Sequence, residues 1–219
     1  VATYGFLFDL DGVLVDTARF HFLAWRRLAH SLGFDFSEVQ NEQLKGVSRV
    51  ESLNKILAWA GQTKTDAEKV LLMDLKNTWY LELVHTMDPD EVLPGARTFL
   101  ESAKQAGIKI GLGSASKNAQ LILDRTRLTP YFDTIVDGNR ATLSKPNPQV
   151  FAMGAADLGL DPAACLVFED APAGVEAALA AGMRAVGIGA PQDLPGAALW
   201  VPDLSHLNPN TLLQTLFEA

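Results

Sequence analysis

An α/β fold is expected: a parallel sheet with helices on both faces, and a helical unit inserted after the first strand. The case rests on three features. Beyond Gly95, short apolar runs alternate with helical patterns. Those runs are apolar throughout rather than every second residue, as in strands covered on both faces. The stretch between the first apolar run and Met87 carries helical periodicity and no strand-like alternation.

Taken in order, Tyr4 to Leu10 is an apolar run ending in Asp-Leu-Asp-Gly, so it reads as a buried strand running into a loop. From about Thr17 to Leu83 the helical pattern breaks near Gly33, Gly46 and Gly61. Leu23, Leu28 and Leu32, with Trp25 and Ala29, form the expected apolar face of its first helix. MDPDEVLPG, from Met87 to Gly95, is a polar linker with two prolines. Then come a helix at Arg97–Gln105, the strand GIKIGLGS, a helix at Ala119–Arg127 and the strand FDTIVD. A helix at Gln149–Leu158, the strand CLVFED, a helix at Ala173–Ala181 and the strand RAVGIG complete the pattern. The first strand joins the last four in one sheet. The insertion is placed at Asp16 to Asp88, leaving a sheet unit of residues 1–15 and 89–219 and a helical unit of 16–88.

Composition narrows the function. Of 219 residues, 48% are hydrophobic and 20% charged, enough to fill a core. A net charge of -8 disfavours nucleic acid and anionic membrane as partners. No apolar run is long enough to cross a bilayer, and the N-terminal residues do not read as a secretory signal. The one cysteine, Cys165, lies in the apolar run CLVF, so no internal disulfide forms and a reducing, cytoplasmic location is expected.

Ligands of open parallel sheets bind at the carboxyl ends of the strands. Asp9 and Asp11 stand at the first such end, Ser114 at the next, and Glu169 and Asp170 at that of CLVFED; Lys145 lies in the loop SKPNP. Each acid alone could be a helix cap or turn residue. Gathered at one edge, they would repel each other unless a divalent cation were present, and oxygen-only ligands suit Mg²⁺. Asp9 and Asp11 are two apart, so on extended backbone they point to the same side and can address one group.

FDLDGV, Ser114, Lys145 and FEDAPAG, in that order, resemble the four motifs of the haloacid dehalogenase superfamily, and the inserted helices resemble its C1-capped branch. The resemblance implies a Rossmann-like parallel-sheet core with a helical cap. It implies Asp9 as the nucleophile that accepts a phosphoryl group and Asp11 as general acid and base, a role that a dehalogenase would not need. Mg²⁺ is expected on Asp9, the main-chain oxygen of Asp11, Asp170 and Glu169, the last directly or through water; Ser114 and Lys145 would hold phosphoryl oxygens. FEDAPAG carries Pro172 where the family often has another residue.

Within that branch, VDTARFHFLAW, NEQLKGVSRVESLNKIL, SASKN and the segment around VPDLSH are similar to mutases that move a phosphoryl group between C1 and C6 of β-glucose. This similarity implies interconversion of β-D-glucose 1-phosphate and β-D-glucose 6-phosphate by a monomer whose partners are sugar phosphates, with β-glucose 1,6-bisphosphate as intermediate and activator. Thr17 and His21 join the catalytic set, His21 as a hinge histidine that positions Asp11. Trp25, Leu44, Lys45, Gly46, Val47, Ser48, Arg49, Ser52, Lys76, Ser116, Lys117 and Asn118 are the implied substrate contacts. Arg49 would clamp the phosphate that is not reacting, since a guanidinium offers paired hydrogen bonds.

Three alternatives stand beside this reading. A sugar-phosphate phosphatase would keep Asp9, Asp11, Ser114, Lys145 and Asp170 but would not need Arg49 or His21. A phosphonoacetaldehyde hydrolase would require a Schiff-base lysine from the cap, where this chain has His21. A non-catalytic sugar-phosphate-binding module would have no use for the Asp9–Asp11 pair.

Overall fold

The computed structural model describes residues 3–44 and 48–217. In chain order the elements are β1 (Gly5–Phe8), α1 (Ala18–Ser31), α2 (Glu38–Glu42), α3 (Arg49–Trp59), α4 (Asp66–Val84), α5 (Ala96–Gln105), β2 (Lys109–Gly113), α6 (Ala119–Arg125) and β3 (Thr134–Val136). They continue with α7 (Gln149–Leu158), β4 (Cys165–Glu169), α8 (Pro172–Ala180), β5 (Arg184–Ile188), β6 (Leu199–Val201) and α9 (Pro209–Phe217). The chain divides into two compact units, Val1–Asp16 with Asp88–Ala219, and Thr17–Met87.

The first unit is built on a sheet of six strands in the order β3-β2-β1-β4-β5-β6, every neighbouring pair parallel. β1 lies between β2 and β4, and the register aligns Phe8 with both Leu112 and Phe168. Three strands therefore end level, and the residues just past their ends are brought to one edge. Both faces are apolar. Phe8 stacks on Phe168 with centroids 4.5 Å apart, and Phe6 and Phe99 complete an aromatic cluster. A second cluster contains Leu7, Val167, Phe151 and Val175. The chain leaves and returns at adjacent points: Val15 bridges Val92, and the Leu93 N–H donates to the Leu14 carbonyl at 2.9 Å.

The helical unit owes its boundaries to side-chain caps. Ser37 with Gln40 and Thr65 with Glu68 form reciprocal capping boxes at α2 and α4, and the Ser48 hydroxyl accepts the Glu51 N–H at the start of α3. Its core holds Trp25, Leu28, Ala29, Phe36, Leu44, Leu53, Ile56 and Leu57.

Two expectations need correction. Leu23 is 46% exposed, because the buried stripe of α1 runs through Phe20, Ala24, Trp25, Leu28 and Ala29. The sheet also has a sixth strand, β6, and a closing helix, α9, that the apolar pattern does not reveal: β6 has three residues, none fully buried, too few for a period. Among the described residues no helix is long and apolar enough to cross a membrane.

Phe168 is fully buried in the aromatic cluster. Phe168→Ala should lower unfolding free energy by about 3–5 kcal/mol. Urea denaturation checks this, and a loss below about 1 kcal/mol would mean that the cluster repacks without a cavity.

Candidate active site

The level ends of β1, β2 and β4 assemble one polar cluster within the sheet unit. The Asp9 N–H donates to the Phe168 carbonyl at 3.0 Å, which carries the β1–β4 ladder one residue further and fixes Asp9 at the edge. Lys145, from the segment between β3 and α7, reaches this edge. Its Nζ donates to Asp9 Oδ1 at 2.7 Å, to the Gly113 carbonyl at 3.0 Å and to Glu169 Oε1 at 2.5 Å. It also sits over the Phe151 ring, 4.7 Å from the centroid. Burial alone would lower its pKa, but the charges of Asp9 and Glu169 outweigh burial and raise it.

Glu169 is 1% exposed and works with both oxygens. Oε1 holds Lys145, and Oε2 accepts the N–H groups of Asp170 and Ala171, each at 3.1 Å, shaping the turn into α8. Burial, and then Asp9, push its carboxyl up to about 7 against the pull of Lys145. Asp170 is pushed up to about 8, first by burial and then by Asp9, Glu169 and Asp11. These shifts record burial together with the crowding of carboxylates at the edge. Asp9, Glu169 and Asp170 each offer a carboxylate oxygen, all within 4.8 Å of one another. The donors are hard, and three carboxylates share the one ammonium of Lys145, so the cluster fits a divalent cation such as Mg²⁺. Because Glu169 already serves Lys145 and the turn, Asp9 and Asp170 are the better placed ligands.

Gly12 makes this approach sterically available. Its φ is +83°, and a Cβ there would lie 1.9 Å from Asp170 Oδ2. The Asp-Gly pair in FDLDG is its signal in sequence. Beyond β2, Ser114 is 2% exposed and its N–H donates to the Val136 carbonyl at 2.9 Å. Its hydroxyl oxygen accepts the Ser116 N–H at 3.1 Å, and the Ser116 hydroxyl accepts the Asn118 N–H at 3.2 Å. Ser114, Ser116, Lys117 and Asn118 thus share one self-bonded loop, beginning one residue after the carbonyl that holds Lys145.

The helical unit carries a separate group of cations. Lys76 is 2% exposed, with its ammonium 4.7 Å from the Trp25 ring and 4.8 Å from the Tyr80 ring, and it bonds to His21 Nδ1 at 2.9 Å. An ammonium can only donate, so Nδ1 accepts and the imidazole proton resides on Nε2. His21 stacks on Tyr80 at 4.2 Å. Burial, then Lys76, then Arg49 hold His21 well below the usual histidine range. Arg49 donates to Asn77 Oδ1 at 3.0 Å. Two cations and a neutral imidazole thus gather on α1, α3 and α4 of an otherwise acidic chain.

Of the other expected contacts, Thr17 is fully buried just before α1, Ser52 is buried one turn beyond Arg49, and Ser48 is exposed as the α3 cap. Trp25 and Leu44 lie in the apolar core of the helical unit, where Trp25 also supports Lys76. Lys45, Gly46 and Val47 fall outside the described residues. Asn77 and Tyr80 are additions to the expected set; a polar and an aromatic residue one and four positions after Lys76 give no signal that separates them from an ordinary helix face.

His21 should remain neutral, with its proton on Nε2, through the pH range where an ordinary histidine titrates. The unfolded chain binds a proton there that the folded unit rejects, so this residue's contribution to stability falls as pH drops below about 6.5. Ring-nitrogen NMR checks the point, and titration at the ordinary histidine pKa would refute it.

Residues 5–182 match the family model of the haloacid dehalogenase-like hydrolases. The chain is 46% identical over 203 residues to the β-phosphoglucomutase of Bacillus subtilis, covering 92% of this chain and 90% of that one. It is 34% identical over 184 residues to a phosphorylated carbohydrates phosphatase of Thermotoga maritima, covering 82% of each. The crystal structure of β-phosphoglucomutase from Clostridium difficile superposes with a TM-score of 0.92 at 39% identity, covering 99% of this chain and 98% of that one. The strand-end acids, the lysine between them and the matched span together make this chain a member of the haloacid dehalogenase-like hydrolase family.

Proposed function

We propose that the chain is a phosphoryl-transfer enzyme that interconverts β-D-glucose 1-phosphate and β-D-glucose 6-phosphate, with β-glucose 1,6-bisphosphate as intermediate and activator. The observation that carries the mutase reading is the grouping of His21, Arg49 and Lys76 in the helical unit, apart in sequence from the phosphoryl-transfer acids. A phosphatase needs one phosphate site; a mutase working through a bisphosphate needs two. The similarity to two β-phosphoglucomutases supports the same choice.

Asp9 attacks phosphorus and becomes an aspartyl phosphate, splitting the transfer into two steps. Lys145 and Ser114 bind phosphoryl oxygens, with Lys145 supported by Glu169 at 2.5 Å. Asp11 gives a proton to the departing sugar oxygen and removes one from the attacking hydroxyl in the return step. Asp9, Asp170 and the main-chain oxygen of Asp11 would hold Mg²⁺, with Glu169 close by; when bound, it neutralises charge on the phosphoryl group. Arg49 and Lys76 grip the second phosphate. Neutral His21, fixed by Lys76, orients the acid/base group. Ser116, Lys117 and Asn118 contact phosphate and sugar. The buried, single Cys165 is in keeping with action in a reducing cytoplasm.

Incubation with β-glucose 1-phosphate, Mg²⁺ and a trace of the bisphosphate should yield glucose 6-phosphate, and Asp9→Asn should abolish both turnover and the aspartyl phosphate seen by mass spectrometry. Release of free phosphate as the main product would establish the phosphatase instead. Arg49→Ala should reduce mutase turnover by about ten- to a hundred-fold, the loss of a charge-assisted contact, while Asp9 is still phosphorylated by acetyl phosphate. Turnover within two-fold of wild type (about the assay error against that effect) would remove Arg49 from the second phosphate site.

A further inference from the structure

The turn after β3, Asp137 to Arg140, has no part in the chemistry above, yet it is bonded to the Ser114–Asn118 loop at two consecutive carbonyls. The Gly138 N–H donates to the Ser116 carbonyl at 3.1 Å, and Asn139 Nδ2 donates to the Lys117 carbonyl at 2.9 Å. A Cβ on residue 138 would lie 2.2 Å from the Ala115 carbonyl oxygen, so glycine is what lets the turn lie against the loop.

The turn is itself held in shape. Asp137 is 9% exposed, and its Oδ1 accepts the N–H groups of Asn139 at 3.0 Å and Arg140 at 3.2 Å. Its Oδ2 accepts from Asn139 Nδ2 at 2.9 Å. One amide nitrogen thus spends its two hydrogens on Asp137 and on the loop, which fixes the direction of both. Arg140 directs its guanidinium elsewhere, to the Ile135 carbonyl at 2.8 Å and to Asp157 at 2.8 and 3.2 Å.

Inside the loop, the Ser114 and Ser116 hydroxyls accept backbone N–H groups at 116 and 118. Where those hydroxyls stand therefore depends on the backbone that the turn grips. We infer that Asn139 is a positioning residue for the phosphate site: oriented by Asp137, its amide fixes the Lys117 carbonyl and so holds the Ser114–Asn118 loop in its phosphate-binding form. The inference rests on the assignment of that loop to phosphate under Proposed function. It accords with the general need of a binding site for support from groups that do not touch the ligand.

The test is calorimetric titration of the Mg²⁺-loaded full chain with inorganic phosphate, alongside KM, kcat and melting temperature. Asn139→Ala should weaken phosphate binding about three- to ten-fold, the scale of losing its one hydrogen bond to the loop, and raise KM for β-glucose 1-phosphate by a similar factor with a smaller change in kcat. Asn139→Ser, which suits a turn but is too short to reach the Lys117 carbonyl, should do the same and covers the case of an alanine variant that misfolds. Arg140→Ala should lower the melting temperature and leave phosphate affinity within two-fold. Two results overturn the inference: folded Asn139 variants that bind phosphate within two-fold of wild type, or an Arg140→Ala variant that loses as much affinity as they do. The titration needs no sugar, so a wild type that binds phosphate but makes no glucose 6-phosphate would sink the mutase reading and leave this one standing.

Discussion

Everything at the sheet edge depends on one ammonium group placed between two carboxylates. Lys145 arrives from outside the three central strands and bonds to the end of each: Asp9 just past β1, Gly113 as the last residue of β2, and Glu169 as the last residue of β4. Without it, Asp9 and Glu169 would be largely or wholly buried anions lacking their ammonium partner, an expensive state. With it, the edge still carries more negative than positive groups; burial first, and then the neighbouring carboxylates, make Glu169 and Asp170 hold their protons more tightly than ordinary acids. The geometry satisfies one carboxylate pair and leaves a residual demand for positive charge. That demand distinguishes a cation-binding edge from a self-contained ion-pair network.

The helical unit has the opposite local sign. Burial, with Lys76 and Arg49 adding to it, keeps His21 neutral, and Lys76 is itself buried beside the rings of Trp25 and Tyr80. Ring faces and an imidazole lone pair help to hold the desolvated ammonium there. The net charge of the chain conceals this, since -8 is a sum over the whole surface.

Much of this is legible in the sequence. The alternation of apolar runs with helices marks out β1 to β5 and α5 to α8, because strands covered on both faces leave a continuous apolar signature. The ends of those runs name Asp9, Ser114, Glu169 and Asp170. The hidden features have physical reasons. β6 is too short and too exposed to have a period. The double duty of Glu169, as anchor for Lys145 and acceptor of two backbone N–H groups, is set by a turn whose shape no spacing rule describes. Leu23 misleads because an apolar residue one position off the stripe looks the same in a string of letters. Asn139 lies in a turn where asparagine is ordinary, and only its second bond, to a loop far away in sequence, sets it apart.

The bridge between Val15 and Val92 bears on how the chain reaches this state. Gly5 of β1 must find Lys109 of β2, about a hundred residues later, before the centre of the sheet exists. An unstructured excursion of that length makes such a meeting slow, because the entropy of closure is lost before any long-range contact compensates it. Here most of the excursion is helices with their own caps and their own apolar core, formed from neighbours in sequence. Once they condense, the ends at Val15 and Val92 are no longer the ends of a long coil. The inserted unit thereby acts as a tether that shortens the search for the central strand pair, quite apart from what it binds.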